Sequence, residues 1–235
     1  MAFVHGSDTL ILGQELALTG YLDQFGVTRD SQAVDVTTFG NNDRNFIAGI
    51  GSGSMNVGGL FDATPIDLEY YGNIASAAGE IITVGIGGAA IGNRVHVGRV
   101  RQGSYTINNS VDDAVRISGT FEFDGGVRMG RSLHDLTAET TTAYFTGVDD
   151  AASSAFGGVG YIHVTAFTGT NGVVKIQHSS DNSTFADLIT FTTITGVTQQ
   201  RSTVSGTVNR YVRAAITTDN FTSMTFQVSF ARNRY

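Results

Sequence analysis

A strand, a polar excursion and a second, glycine-bearing strand occupy residues 34–62, and no other stretch limits the fold of this chain as much. Val34-Asp35-Val36-Thr37-Thr38-Phe39-Gly40 begins in apolar/polar alternation, Asn41, Asn42, Asp43, Arg44 and Asn45 form the excursion, and Phe46-Ile47-Ala48-Gly49-Ile50 resumes extended character. Ser54-Met55-Asn56-Val57-Gly58-Gly59-Leu60-Phe61-Asp62 completes it. A period of two sends successive side chains to opposite faces of an extended chain. The stretch holds no catalytic chemistry, so it describes a wall or an interface rather than a pocket.

The same period recurs downstream. Val115, Ile117, Phe121 and Phe123 point one way while Arg116, Ser118, Thr120, Glu122 and Asp124 point the other, and Met55 and Val57 oppose Ser52, Ser54 and Asn56. One face is buried and the other meets water or lines something larger. One helix is signalled: Thr64 as N-cap, Pro65 at the first helical position, Asp67 closing a capping box, Ile66, Tyr70, Ile74 and Ala77 at helical spacing, and Gly79 beyond the end. A threonine-rich run, residues 138–145, separates this region from a second set of β-branched and aromatic strands at 160–167, 173–178, 188–193, 208–216 and 224–230. Turn-forming residues at 169–172, 179–183, 206 and 217–220 divide them, which predicts an antiparallel sandwich.

Charge is split along the chain. Residues through Asp135 carry 15 acids and 8 arginines, a net of −7, while the remainder carries six of each. Such an acidic half repels phosphate polymers, whose binding depends on Lys and Arg releasing counterions. There is no cysteine, no basic-then-apolar N-terminal segment, and no apolar run near the ~20 residues of a membrane helix. The single lysine leaves strand edges without their common protection, and 30 glycines permit close backbone approach between neighbours.

The ordered series in residues 34–62, followed by Ile117-Ser118-Gly119-Thr120-Phe121-Glu122-Phe123-Asp124-Gly125-Gly126, Val127-Arg128-Met129-Gly130-Arg131 and Leu133-His134, resembles the major tail tube proteins of long-tailed, non-contractile bacteriophages over roughly residues 5–136. The resemblance implies a mainly β fold: a tail-tube-type sandwich or barrel with one flanking α-helix (residues 1–137), followed by a linker (138–145). Beyond it, Ser180-Asp181-Asn182-Ser183-Thr184-Phe185 and Arg210-Tyr211-Val212-Arg213 are similar to the carbohydrate-binding-like β-sandwiches appended to phage structural proteins, which implies a second immunoglobulin-like or carbohydrate-binding-like β-sandwich facing outward (146–235). The tail-tube resemblance implies homo-hexameric rings stacked into a tube in the virion, assembled from protein made in the host bacterial cytoplasm. Ser54, Asn56, Ser118, Thr120, Glu122 and Asp124 would then line an acidic bore, and Phe3, His5, Asn41, Asn42, Asp43, Arg44 and Asn45 would make ring-stacking contacts. A tape measure protein, tail terminator and tip proteins are the implied partners, with DNA passing through without specific binding and no membrane involved.

Enzymatic readings find little support. His5, His96, His134, His163 and His178 form no HxxxH or HxH pair, Gly49-Ile50-Gly51-Ser52-Gly53 and Gly85-Ile86-Gly87-Gly88 lack the Lys-Ser/Thr ending of a phosphate loop, and no GxSxG elbow is present. Neither a catalytic residue, a metal nor a cofactor is expected. Asp181-Asn182-Ser183 fits a serine-rich turn better than a calcium loop. Two other readings stay open: a saccharide-binding, adhesin-like surface module using Tyr161, Phe185 and Tyr211, and a capsid-decorating or head-completion protein.

Overall fold

The computed structural model describes residues 5–62 and 79–233. Thirteen strands account for nearly all of the regular structure there: β1 (Leu10–Gly13), β2 (Leu16–Ala17), β3 (Leu22–Asp35), β4 (Phe46–Leu60), β5 (Glu80–Gly85), β6 (Arg94–Asn108), β7 (Arg116–Glu139), β8 (Ala143–Tyr144), β9 (Val148–Asp149), β10 (Gly158–Ser179), β11 (Ala186–Thr190), β12 (Thr198–Val204) and β13 (Tyr211–Arg232). Two short 3-10 turns, Gly6–Asp8 and Leu18–Gly20, are the remaining helical residues.

This corrects the expected fold. In place of a sandwich with a flanking α-helix and a separate second sandwich, the described residues form one antiparallel hydrogen-bonded sheet and contain no α-helix. The helix expected over 64–77 lies outside the described residues. The reason for the merged sheet is the length of β7: Arg131–Phe230, Ser132–Ser229 and His134–Val228 are among its paired positions with β13, so the strand that closes the first patterned region is also a partner of the last strand in the chain. Backbone pairing answers to every N–H and C=O group, not to the side-chain pattern from which a boundary is read.

Cα proximity divides the chain into two compact units, each discontinuous in sequence. The larger contains Met1–Gly20, Ile81–Val97 and Arg128–Tyr235, and the smaller Tyr21–Glu80 and Gly98–Val127.

In the larger unit β10 and β13 pair along their full lengths, from Gly158–Arg232 to Ser179–Tyr211. The register shifts at Thr168/Gly169, Gly169/Asn171 and Val173/Val174, within the stretch whose Gly169-Thr170-Asn171-Gly172 reads as a turn. Those residues instead form bulges, which bend a strand pair without ending it. Gly169 has φ of 153°, and a Cβ there would sit 2.3 Å from the Phe221 Cα, so the approach of the two backbones requires glycine. With the ribbon bent, Ile162 and Val164 from its first half join Val174 and Ile176 from its second in one core with Ile189, Phe191, Ile216, Phe226 and Val228. Each such side chain contributes on the order of 1.5–3 kcal/mol by leaving water. The opposite face of the first half is also covered, by a smaller cluster of Ile81, Val97, Val159, Tyr161 and Ala231. An ionic clasp closes one end: Asp150 accepts from Arg131 Nε at 3.2 Å and Arg232 Nε at 2.7 Å, and Arg232 also donates to the Val208 and Asn209 carbonyls.

His163 lies fully buried in this unit. A carbonyl can only accept, so the Nδ1 that faces the Gln14 carbonyl at 2.5 Å carries the proton, and Nε2 accepts from the Thr83 hydroxyl at 2.9 Å. Burial lowers its pKa from 6.5 to about 4, partly opposed by the Gln14 hydrogen bond. The folded protein therefore stays neutral at His163 while the unfolded chain takes up a proton below 6.5. Stability is complete above pH 6.5 and falls between 6.5 and 4 by about 1.4 kcal/mol per pH unit, a total on the order of 3 kcal/mol. His178, also lowered by burial, acts in the same sense. Urea midpoints measured from pH 7 to 4.5 should decline, and His163→Gln should flatten that decline by about one proton's slope; an unchanged slope would show that His163 does not carry it.

Candidate assembly surfaces

The smaller unit builds its polar face from cross-strand pairs. In β4 and β7, Ser54 stands opposite Glu122, Asn56 opposite Thr120 and Gly58 opposite Ser118. From β3, Thr28 stands opposite Ser54 and Gly26 opposite Asn56. The alternate positions Met55, Ile117, Phe121 and Phe123 are buried. Strand geometry thus gathers Ser54, Asn56, Ser118, Thr120, Glu122 and Asp124 on a single face. The Ser104 hydroxyl extends it, 2.7 Å from that of Thr120.

The charge on this face is less negative than its residue list suggests. Asp124 pairs with Arg99 at 2.5 Å and Arg101 at 3.7 Å, and Arg116 pairs with Asp23 at 2.7 Å. Half-exposed pairs of this kind contribute little to stability, yet they cancel the field locally. Glu122 is left as the exposed carboxylate of the row without an ion pair among the described residues.

The hairpin of β3 and β4 is the least buried part of the molecule. No residue of β3 is buried, and β4 buries none before Gly53. Its apolar side chains face water instead: Phe39 is fully exposed, Ile50 89% exposed, and Phe46 and Ile47 a little over half. The outer edge of β3 pairs with no strand among the described residues. A two-stranded ribbon is marginal in water without something to cover it, and contiguous exposed apolar surface marks a contact region.

The tip of the hairpin is nevertheless ordered by its own bonds. Asp35 Oδ1 accepts from the Thr37 amide at 2.9 Å and its hydroxyl at 2.5 Å, Thr37 Oγ1 accepts from the Asn45 amide, and Val36 donates to the Asn45 carbonyl. Those Thr37 bonds hold the Asp35 carboxyl below its ordinary value. Asn41 donates to the Thr38 carbonyl, leaving Asn42, Asp43 and Arg44 exposed at the turn. His5 belongs to the larger unit, where its Nδ1 caps the first 3-10 turn by accepting from the Ser7 amide. Phe3 lies outside the described residues.

Sequence reasoning found the polar tip but missed the apolar flank. Its signal was present: Phe46, Ile47 and Ile50 occupy both parities of one strand, a pattern that a sheet with a single buried face does not need.

Other candidates disperse. Tyr161 is 1% exposed and cannot serve as a stacking surface, Tyr211 is half-buried with the Arg210 guanidinium 5.0 Å from its ring, and Phe185 lies against Arg213. His134 is buried between Phe226, stacked at 4.1 Å, and Phe145. Asp181 Oδ1 accepts from the Ser183 and Thr184 amides and the Ser179 hydroxyl, which holds its pKa at about 2 and makes it the organiser of a turn.

No protein-family model and no curated protein sequence matches the chain. Among solved structures it is similar to a chain of the virion of a native gene transfer agent particle, with 19% identity over 53% of this chain and 97% of that one and a TM-score of 0.45. It is similar to the SPP1 tail tube, with 14% identity over 53% and 78% and a TM-score of 0.43. It is also similar to the SPP1 Dit protein, with 13% identity over 96% and 99% and a TM-score of 0.41.

Asp35→Ala should free the hairpin tip without touching the core. Limited proteolysis is expected to cut within residues 36–45 several times faster than in the unaltered chain, with the urea midpoint unchanged; equal cutting rates would show that Asp35 does not order the tip.

Proposed function

We propose that this chain is a structural subunit of a bacteriophage tail tube, in which copies close into rings, rings stack, and the tube conducts DNA passively. The observation that carries the reading is the β3–β4 ribbon, which has no buried residue along β3, an unpaired outer edge among the described residues, and exposed Phe39, Phe46, Ile47 and Ile50. An adjacent copy that pairs with the β3 edge would satisfy its N–H and C=O groups and remove the apolar side chains from water. The ordered sequence series shared with tail tube proteins supports the same assignment, and six-membered rings are the expectation it brings.

In this reading the polar face of β4 and β7 lines the bore, with Ser54, Asn56, Ser118 and Thr120 offering neutral surface. Glu122 is the carboxylate of the row without an ion pair among the described residues, while Asp124 is shared by two arginines, Arg99 and Arg101, so the surface is close to neutral and its cations are held by carboxylates rather than offered to DNA. The tip residues Asn41, Asn42, Asp43, Arg44 and Asn45, with His5 and Phe3, are assigned to contacts between rings. Tape measure, terminator and tip proteins would be the partners along and at the ends of the tube. No step of this role calls for a catalytic group or a cofactor.

Concentrated protein examined by negative-stain electron microscopy should form tubes with a regular axial repeat and a central channel. Ile50→Asp and Phe39→Asp, both at fully or nearly fully exposed positions, should leave the urea midpoint unchanged and abolish the tubes. Tubes that persist in both variants would remove the ribbon from the interface, and particles bearing this chain only on the head shell would overturn the reading. In assembled particles Glu122→Lys should slow DNA delivery with tail length unchanged; an unaltered rate would place Glu122 away from the bore.

A further inference from the structure

Arg131, Lys175, Arg210 and Arg232 each hold a carboxylate, whereas Arg213, like Arg94 and Arg128, has no ion pair among the described residues. Arg213 differs from those two in being fixed by a forked hydrogen bond and by two aromatic rings. Its Nε and Nη2 both donate to the neutral Gln177 Oε1, at 3.0 and 2.9 Å, and its guanidinium lies 3.8 Å from the Phe185 ring centroid and 4.7 Å from that of Tyr144. Burial lowers its pKa, as expected for a cation taken partly out of water without a counter-charge. Nη1 makes no hydrogen bond and is not among the buried unpartnered atoms, so one donor edge of an immobilised guanidinium remains accessible.

The surroundings of that edge are also fixed. Gln177 is locked in orientation because its oxygen accepts from Arg213 and its amide nitrogen donates to Asp187 at 2.8 Å, while Asp187 is neutralised by Lys175 at 2.7 Å. Register places this row across four strands: Tyr144 opposite Ala215, Arg213 opposite Gln177, and Gln177 opposite Asp187. Its far side is the apolar core of Val174, Ile176, Ala214 and Ile216, which holds the row flat. The Tyr144 ring, 64% exposed, borders the guanidinium.

From this arrangement we propose that the outward face of β8, β13, β10 and β11 binds an acidic saccharide, the anionic group seated on Arg213 and a sugar ring stacked on Tyr144. A preorganised guanidinium without a carboxylate partner selects an anion of planar or tetrahedral oxygens. At the centre of the row β10 is paired on both sides, with Arg213 and Asp187 opposite Gln177, so the groups on offer there are side chains rather than main chain. An exposed aromatic face beside fixed donors and acceptors suits ring faces and hydroxyls. The carboxylate of a uronic acid and the phosphate of a glycerol-phosphate-bearing glycan share this chemistry. The site involves neither the β3–β4 ribbon nor the polar face of β4 and β7, and so stands independently of the tube assignment.

Isothermal titration of the chain with an oligogalacturonate, a glycerol-phosphate-substituted oligosaccharide, neutral maltoheptaose and, as an anionic peptide, oligoglutamate tests it. Binding by either anionic probe, at least about tenfold tighter than maltoheptaose and weakened by salt, is expected, and which of the two binds identifies the source of the anion. Arg213→Gln should weaken that binding by about tenfold or more and Tyr144→Ser by several-fold. Tyr144 is exposed, so its variant keeps the test valid should Arg213→Gln disturb folding, and both variants should still form whatever assembly the unaltered chain forms. Absence of heat with both anionic probes, equal binding of maltoheptaose, equal binding of oligoglutamate, or unchanged affinity in the Tyr144 variant would each overturn the proposal.

Discussion

The backbone pairing of β10 with β13 is the interaction on which the larger unit depends. These strands are separated in sequence by β11 and β12, and each pairs with further strands: β12 and β11 with β10, and β7, β8 and β9 with β13. Every neighbour is therefore positioned by one ribbon. Side chains can leave water on both its faces only because the bulges around Gly169 and Val173 turn the second half of the ribbon over the first. Substitution of a single core side chain removes a few kcal/mol at most. A change that straightened those bulges would separate the two halves of the core together.

The smaller unit follows a different economy. Its buried side chains, among them Met55, Phe121 and Phe123, occupy one face of β4 and β7, whereas β3 contributes hydrogen bonds to β4 and almost no burial. Ordering a 14-residue strand costs backbone entropy, which hydrogen bonds to a single neighbour offset only in part. Exposed Phe39, Phe46, Ile47 and Ile50 represent burial still to be gained. A surface so composed is efficient for assembly, because association adds the apolar term to backbone pairing that is already in register.

Legibility in the sequence tracked whether the signal was local. Alternation at 115–124 identified the buried and polar faces of β7, and the turn chemistry of Asp181 was readable because a short acceptor side chain bonds its own loop. The turns expected at 169–172 and 217–220 were misplaced for a related reason: glycine and asparagine suit bulges as well as turns, and only the partner strand distinguishes them. The threonine-rich run near residue 140 carries no apolar period, yet Ala143 and Tyr144 pair with Ile216 and Ala215, a relation between backbones that composition does not encode. Arg213 was visible only as part of the Arg210-Tyr211-Val212-Arg213 resemblance, because its contacts with Gln177, Phe185 and Tyr144 join segments distant in sequence that no local pattern encodes.

Formal charge illustrates the same limit and bears on mechanism. The acidic excess of the first half is real, but on the polar face of β4 and β7 it is partitioned by geometry: Arg99 and Arg101 converge on Asp124, Arg116 holds Asp23, and Glu122 faces solvent beside neutral Ser54. With a screening length of about 8 Å at physiological salt, a polymer passing this face responds to nearby unpaired charges and hardly at all to the total. The three arginines and the carboxylates of Asp23, Asp124 and Glu122 sum to zero on this face, and each arginine is held by a carboxylate. Repeated around a ring, such a surface would offer a phosphate backbone neither a cation free of a carboxylate partner nor a steep field to cross, which is the physical requirement for passage without adhesion.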